Sequence, residues 1–407
     1  MWTLLLPLLG CSQRNSPTPP DAETPTANGL RPSVEQRSPN ADGQIAAFEG
    51  QTRAPQPAGP SRFSIETIAR GLGLPWAIEF LPDGRMLVTE RSVPALRTVS
   101  LDGTIGRPVT GLPEIVVRGQ GGILDVALAP DFVDSRTIYL SYAEARGDGR
   151  TNGTTVARAR LDDAATALSD LEVIFRQRPA RDSSHHFGSR FVFAPDGNLF
   201  VTLGERGSAS ELAQDPSNHI GSVVRIAPDG SVPDDNPFVD DPTKAPEVWS
   251  YGHRNLQSAT LDLEGRLWTV EHGPKGGDEL NQPQAGKNYG WPVISYGENY
   301  NGSPIGDGIT AQEGLEQPVY YWDPVIAPSG MDVYTGEPFP AWEGDLLVGG
   351  LRAEAVVRLQ LRNGRVHTEE WLDIGGRARD VKVGPDGYVY VAMDNEGTIL
   401  RLVPSGS

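Results

Sequence analysis

The chain of 407 residues carries a single cysteine, Cys11, so no disulfide can form within it. It has no apolar run long enough to span a bilayer. No long stretch sustains a helical period, and Ala164 to Ile174 is the best candidate for even a short helix. Basic residues are outnumbered, 35 Lys and Arg against 53 Asp and Glu, for a formal net charge of −18. That balance argues against nucleic acid, which calls for a clustered basic surface. It suits a self-repelling body that meets small-molecule substrates. Neither a His-Glu-x-x-His pattern nor paired cysteines are present, which argues against zinc. Adjacent His185 and His186 do not supply a substitute, because neighbours on a strand point to opposite faces.

The N-terminus has its own composition. Met1 to Cys11 is a short apolar run ending Leu8-Leu9-Gly10 before the cysteine. It is similar to the end of a bacterial lipoprotein signal, although the usual positive n-region is missing. The alternative is an apolar terminus with an ordinary thiol. Residues 12–61 are rich in Pro, Ser, Thr, Asn, Gln and Gly and read as a disordered tether, since they offer little surface to bury. The expectation is a periplasmic or extracytoplasmic protein, lipid-anchored through Cys11 and touching the membrane only there.

From residue 62 to 407 short apolar runs alternate with Asp-Gly turns. Pro82-Asp83-Gly84, Pro195-Asp196-Gly197 and Pro385-Asp386-Gly387 each sit between two such runs, and Glu264-Gly265 does the same. Ala129-Pro130-Asp131 and Ala227-Pro228-Asp229-Gly230 are partial copies. Each reads as strand, tight turn, strand. Many gaps between copies are about 50 to 70 residues, the size of one four-stranded propeller blade. The expected fold is all-β: one six-bladed β-propeller of four-stranded blades behind a disordered N-terminal tail. A pair of β-sandwiches would not explain one turn phrase recurring so widely.

The segment His272-Gly273-Pro274-Lys275-Gly276-Gly277-Asp278-Glu279 cannot be a regular helix, because proline and three glycines interrupt it. Its carbonyl oxygens lie beside two acids, the outline of a site for a hard cation such as calcium. An ordinary solvated surface loop is the equal alternative. Other polar clusters are Arg118 to Gly122, His185 to Arg190, Glu205-Arg206-Gly207 and Tyr251 to Asn255. Four of the six histidines fall within these clusters and the 272–279 loop. A histidine serving as general base suits this arrangement, since its ordinary pKa lies near neutrality. For any single histidine, a hydrogen-bonded turn residue is the simpler reading.

Gly-Gln-Gly-Gly-Ile-Leu-Asp-Val (119–126), His-Phe-Gly-Ser-Arg (186–190), Pro-Asp-Asp-Asn-Pro-Phe (233–238), Trp-Ser-Tyr-Gly-His-Arg-Asn (249–255), Glu-His-Gly-Pro-Lys-Gly-Gly-Asp-Glu (271–279) and Asn-Tyr-Gly-Trp-Pro (288–292) together resemble one family. It is the soluble pyrroloquinoline-quinone (PQQ)-dependent aldose sugar dehydrogenases, relatives of soluble quinoprotein glucose dehydrogenase. The resemblance runs from about residue 64 to 403. It implies oxidation of an aldose at the anomeric carbon to a lactone, with PQQ and Ca2+ as cofactors and an external electron acceptor. His186 takes the place of the base and Glu205 that of its carboxylate partner, while Arg254 stands against the quinone oxygens. Gly273 and Pro274 offer the carbonyl ligands for calcium. Gln120, Arg254, Asn255, Arg352, Arg377 and Arg379 match positions that hold the cofactor.

Departures from the family pattern are His185 before the base, Ser189 for a glycine, Arg352 for a lysine, and apolar Val325 at a polar contact. The substrate-covering loops are the least alike, so the identity of the sugar does not carry over. A calcium-dependent lactone hydrolase on a six-bladed propeller, or a non-catalytic binding propeller, are the competing functions.

Overall fold

The computed structural model describes residues 29–405 apart from 42 and 148. The expected lipoprotein signal with Cys11 lies outside the described residues, as does the first part of the expected tether.

Short apolar runs bounded by turns become strands, and the strands group into six sheets. Blade 1 is Pro75–Phe80, Met86–Glu90 and Ala95–Val99. Blade 2 is Ile123–Leu128, Thr137–Arg146, Thr151–Leu161 and Leu168–Arg176. Blade 3 is Gly188–Phe193, Leu199–Leu203, Ser222–Ile226 and Val248–Tyr251. Blade 4 is Leu256–Leu261, Leu267–Glu271, Asp278–Asn281 and Tyr320–Trp322. Blade 5 is Pro328–Val333, Leu346–Gly350, Ala355–Arg362 and Arg365–Asp373. Blade 6 is Ala378–Val383, Val389–Met393 and Thr398–Pro404, with Phe63–Arg70 from the other end of the body as its outer strand. That last pairing ties the two ends together and closes the ring.

First strands pack against first strands in a closed circle around the axis. Six apolar clusters fill the six spaces between neighbouring blades. This explains the character of the second strands. Met86–Glu90, Leu199–Leu203, Leu267–Glu271, Leu346–Gly350 and Val389–Met393 are buried along their whole length, because a blade lies on either side. On the axis Arg190 pairs with Asp125 of blade 2 at 2.9 Å and Asp380 of blade 6 at 3.0 Å, with its guanidinium over Trp76 of blade 1.

Most of the turn phrases fall between first and second strands, while Ala227-Pro228-Asp229-Gly230 follows the third strand of blade 3. In Leu81–Arg85, Ala194–Asn198 and Gly384–Tyr388 one backbone pattern recurs, and the aspartate accepts the N–H two residues on. Gly84, Gly197 and Gly387 take φ of 85°, 86° and 77°, which the turn requires.

Three expectations are corrected. Blade 1 has three regular strands rather than four; residues 105–110 take the outer place irregularly, with Gly106 N–H on Thr98 O and Val109 N–H on Leu96 O. Ala164 to Ile174 is no helix. Asp162 accepts the N–H groups of Thr166 and Ala167 to fix a turn, and Leu168–Arg176 follows as an outer strand. Finally, residues 29–61 are no free tether but a strap along blades 4 and 5. Gln51 and Ala54 are buried, Tyr321 donates to Gln51 O, Glu369 donates to Pro55 O, and the Asp323 carboxylate accepts the N–H groups of Asn40 and Ala41. The strap needs few apolar side chains, because hydrogen bonds hold it, among them the Tyr321 N–H to Gln51 O at the edge strand Tyr320–Trp322 and the Ala54 N–H to Tyr320 Oη.

Candidate active site

Most of the site residues obey one positional rule. They stand just before a first strand or just after a second strand, which places them on the same rim of the ring. Trp76, Gln257 and Arg379 lie near the start of a first strand. Gln120 precedes blade 2, His186 precedes blade 3, Arg254 and Asn255 precede blade 4, and Arg377 precedes blade 6. Glu205, His272 and Asp394 follow the second strands of blades 3, 4 and 6. A cavity of about 300 Å³ opens there, with Arg91, Gln120, Asn255, Gln257, Arg377 and Arg379 among its polar walls and Trp76 and Phe187 among its apolar ones.

His186 is held in the left-handed region, at φ 50°. Its carbonyl lies against Gly204, where a Cβ would come within 2.2 Å of it. Gln120 Oε1 accepts the His186 N–H at 2.8 Å. The ring Nδ1 meets Glu205 Oε1 at 2.5 Å. An ionised carboxylate only accepts, so Nδ1 carries the proton and Nε2 is left as the basic nitrogen. Burial holds the pKa of His186 below the ordinary value of 6.5; the Glu205 hydrogen bond opposes this and the Arg254 charge adds to it. The imidazole is therefore neutral at neutral pH.

The His272 loop is braced from behind. Asp278 accepts the N–H of Gly273 at 2.9 Å and that of Ala327 at 2.7 Å, and burial raises its pKa to about 7. Glu271 accepts from His253 Nδ1, the Arg254 N–H and Asn281 Nδ2. The carbonyls of His272 and Gly273 both face Arg254 Nη1, each at 2.9 Å. The acids of the loop are thus supports, while carbonyl oxygens point toward positive charge.

The sequence matches the Glucose / Sorbosone dehydrogenase family over residues 72–401. The chain belongs to this family. It is 42% identical to the aldose sugar dehydrogenase of Escherichia coli (strain K12) across 85% of this chain and 94% of that one. A protein of Synechocystis sp. is 38% identical across 99% of this chain and 98% of its own length. The solved PQQ-bound aldose sugar dehydrogenase from Streptomyces coelicolor superposes with a TM-score of 0.69 at 29% identity, covering 85% of this chain and 99% of that one.

Measured against the residues the family resemblance pointed to, the structure gathers most of them. Gln120, Asn255, Arg377 and Arg379 line the cavity, and His186, Glu205 and Arg254 form a connected group beside it. Gly273 and Pro274 are buried, and the Gly273 carbonyl is turned toward Arg254. Arg352 is not on the wall. After Leu346–Gly350 the chain turns Leu351 inward, its N–H on Ala327 O, and leaves the Arg352 side chain exposed.

Arg91, Gln257, Asp394 and Trp76 are wall residues that motif reading missed. Asp394 holds Arg377 and Arg379 together, at 3.2 Å from each. The signal was available in the repeat: Arg91 and Asp394 occupy the place after a second strand that Glu205 and His272 occupy in other blades.

Proposed function

We propose that this protein oxidises aldose sugars at the anomeric carbon to lactones, using PQQ and calcium and passing electrons to an external acceptor. The observation that carries the reading is the His186–Glu205 pair at the edge of a cavity walled by guanidinium groups. PQQ carries three carboxylates on a flat ring system. The wall carries Arg91, Arg377 and Arg379 but one carboxylate, Asp394, which pairs with Arg377 and Arg379, so surplus positive charge is left for such a ligand. Trp76 and Phe187 offer apolar contact, and Arg254 Nε is buried without a partner. For calcium, the donor set is the backbone oxygen of Gly273 with Pro274 beside it, hard ligands of the kind that ion takes. When bound, the quinone supplies the hydride acceptor and the calcium ion polarises it.

The chain's own residues do the remainder. His186 Nε2 takes the proton of the anomeric hydroxyl as hydride leaves the anomeric carbon, and the C–O bond becomes the lactone carbonyl. Glu205 fixes the tautomer and stabilises the imidazolium that forms. Gln120 fixes the backbone of the base, and Arg254 places positive charge where the acceptor gains negative charge. The proposed setting is periplasmic, with lipid attachment through Cys11. Among the described residues no helix is long and apolar enough to cross a membrane.

The test is dye-linked oxidation of a panel of aldoses by the apo-protein, with and without added quinone and calcium. Turnover that needs both additions supports the reading. Lactone hydrolysis with calcium alone, and no aldose oxidation, would overturn it.

A further inference from the structure

Arg206 follows Glu205 on the same rim, and the reaction as proposed gives it no part. Its side chain is fully buried, at 0% exposure; no carboxylate lies within salt-bridge distance among the described residues, and only the charge of neighbouring Glu205 favours its charged form. A buried charge without a carboxylate directly bonded to it is costly, and a position built only for packing would hold an apolar side chain. Its contacts show where the guanidinium is spent. Nη1 donates to the carbonyl of His185 at 2.8 Å. Nη2 donates to Asn152 Oδ1 at 2.5 Å and to the carbonyl of Ser183 at 3.2 Å. The guanidinium plane lies 3.5 Å from the centre of the Phe187 ring. In return Ser183 Oγ donates to the Arg206 carbonyl at 2.5 Å, and Asn152 Nδ2 donates to the Ser183 carbonyl at 2.9 Å.

These contacts fall on residues 183, 185 and 187, which bracket His186 on both sides. His186 itself sits at φ 50°, a conformation that a residue with a Cβ keeps only when its surroundings enforce it. We propose that Arg206 is a positioning residue: its fork and its stack on Phe187 hold the 183–187 segment in the turn that delivers His186 Nδ1 to Glu205. One turn therefore grips the histidine twice, by its ring through Glu205 and by its backbone neighbours through Arg206. This rests on the reading of His186 as the proton acceptor. Burial lowers the Arg206 guanidinium to about 9, which leaves it charged at neutral pH. A lysine in its place would keep the charge, but a point donor cannot reach three oxygens and stack on a ring together.

The experiment compares wild type, Arg206→Met and Arg206→Lys, each checked for folding by near-UV circular dichroism. The first readout is the downfield Nδ1–H proton resonance of His186 in the apo-protein, assigned by its loss in His186→Gln. It should vanish or broaden in Arg206→Met and be weakened in Arg206→Lys. The second readout is steady-state turnover of the loaded enzyme. For Arg206→Met, kcat should fall about 100-fold with KM changed by less than about threefold, the signature of a misplaced base rather than a lost binding contact. A folded Arg206→Met that keeps both the resonance and wild-type kcat overturns the proposal. Should Arg206→Met not fold, Arg206→Lys decides, and wild-type resonance and kcat in that variant overturn it equally. If wild type oxidises no aldose, the functional reading fails, while the resonance still judges Arg206.

Discussion

Replacing Glu205 by glutamine tests how the base is made to work. Glu205 is 2% exposed, and its Oε1 meets His186 Nδ1 at 2.5 Å. The amide keeps a carbonyl oxygen able to accept that proton, so the ring can stay in place. What disappears is negative charge beside an imidazole that becomes cationic as it takes the substrate proton. A hydrogen bond to a charged group contributes about 1.5–3 kcal/mol. Two unit charges about 4 Å apart, at an effective dielectric of about 20, set an upper bound of about 4 kcal/mol. At about 1.4 kcal/mol per tenfold in rate, kcat should fall about 100-fold. KM should change little, because Glu205 is buried and its carboxylate meets His186 rather than solvent. The pH profile gives an independent sign. Glu205 raises the pKa of His186 against burial and Arg254, so removing its charge moves the acid limb of kcat/KM to lower pH. The assay is dye-linked aldose oxidation from pH 4.5 to 8, with folding confirmed by near-UV circular dichroism. A variant with wild-type kcat, or an acid limb moved upward, would refute the assignment of Glu205 as the partner that stabilises imidazolium.

In wild type, burial and Arg254 outweigh Glu205, so the acid limb of kcat/KM should lie below pH 6.5; a limb above that value would mean that His186 is not the titrating base. Arg379→Met should weaken quinone binding to the apo-protein about 10- to 100-fold in a fluorescence titration, the loss of one charge-assisted contact. Unchanged affinity would remove the arginine wall from the cofactor argument. Gln51→Ala should lower stability by about 2 kcal/mol in urea unfolding, since it strips the side-chain partners of the Ala47 N–H and Pro318 O, while Tyr296 Oη keeps Gln317 and kcat stays as in wild type. No loss of stability would show that the strap is not held by that residue.

The propeller was legible because its signal is local and repeated. A turn needs a residue that adopts positive φ and a side chain that caps the next N–H, and Asp-Gly supplies both wherever it occurs. Outer strands carry no such mark. Leu168–Arg176 is exposed along much of one face, so it lacks both a continuous apolar run and clean alternation, and Ala164 to Ile174 looked helical by default. The strap escaped for a different reason. Composition weighs apolar side chains, whereas residues 29–61 are held by backbone bonds, buried amides and a carboxylate, Asp323, whose acceptor role only the fold reveals.

The candidate site was legible in part, and the division follows the chemistry. Glycine-rich strings and paired polar residues expose His186, Glu205 and the His272 loop, because unusual backbone needs unusual residues. Arginines on a wall need nothing unusual around them. Arg91 looks like the end of any strand, and Arg352 stands in the right string yet is exposed and does not line the cavity. What makes Arg91, Arg377 and Arg379 a site is their convergence on one volume with a single carboxylate, Asp394, among them. That convergence reverses the sign of the protein. A body of net charge −18 keeps an island of positive charge at one mouth of its ring. At physiological salt the surface charge is screened beyond about 8 Å, so an anionic cofactor that reaches the rim meets mainly the local arginines. Burial then strengthens their hold, because guanidiniums short of carboxylate partners have more to gain from the ligand than from water. The proposed base beside them, His186, stays neutral mainly because it is buried, and the positive charge of Arg254 adds to that effect. Arg254 thus joins the two roles in the proposed reaction: removing its charge should weaken quinone binding and raise the pKa of His186 together.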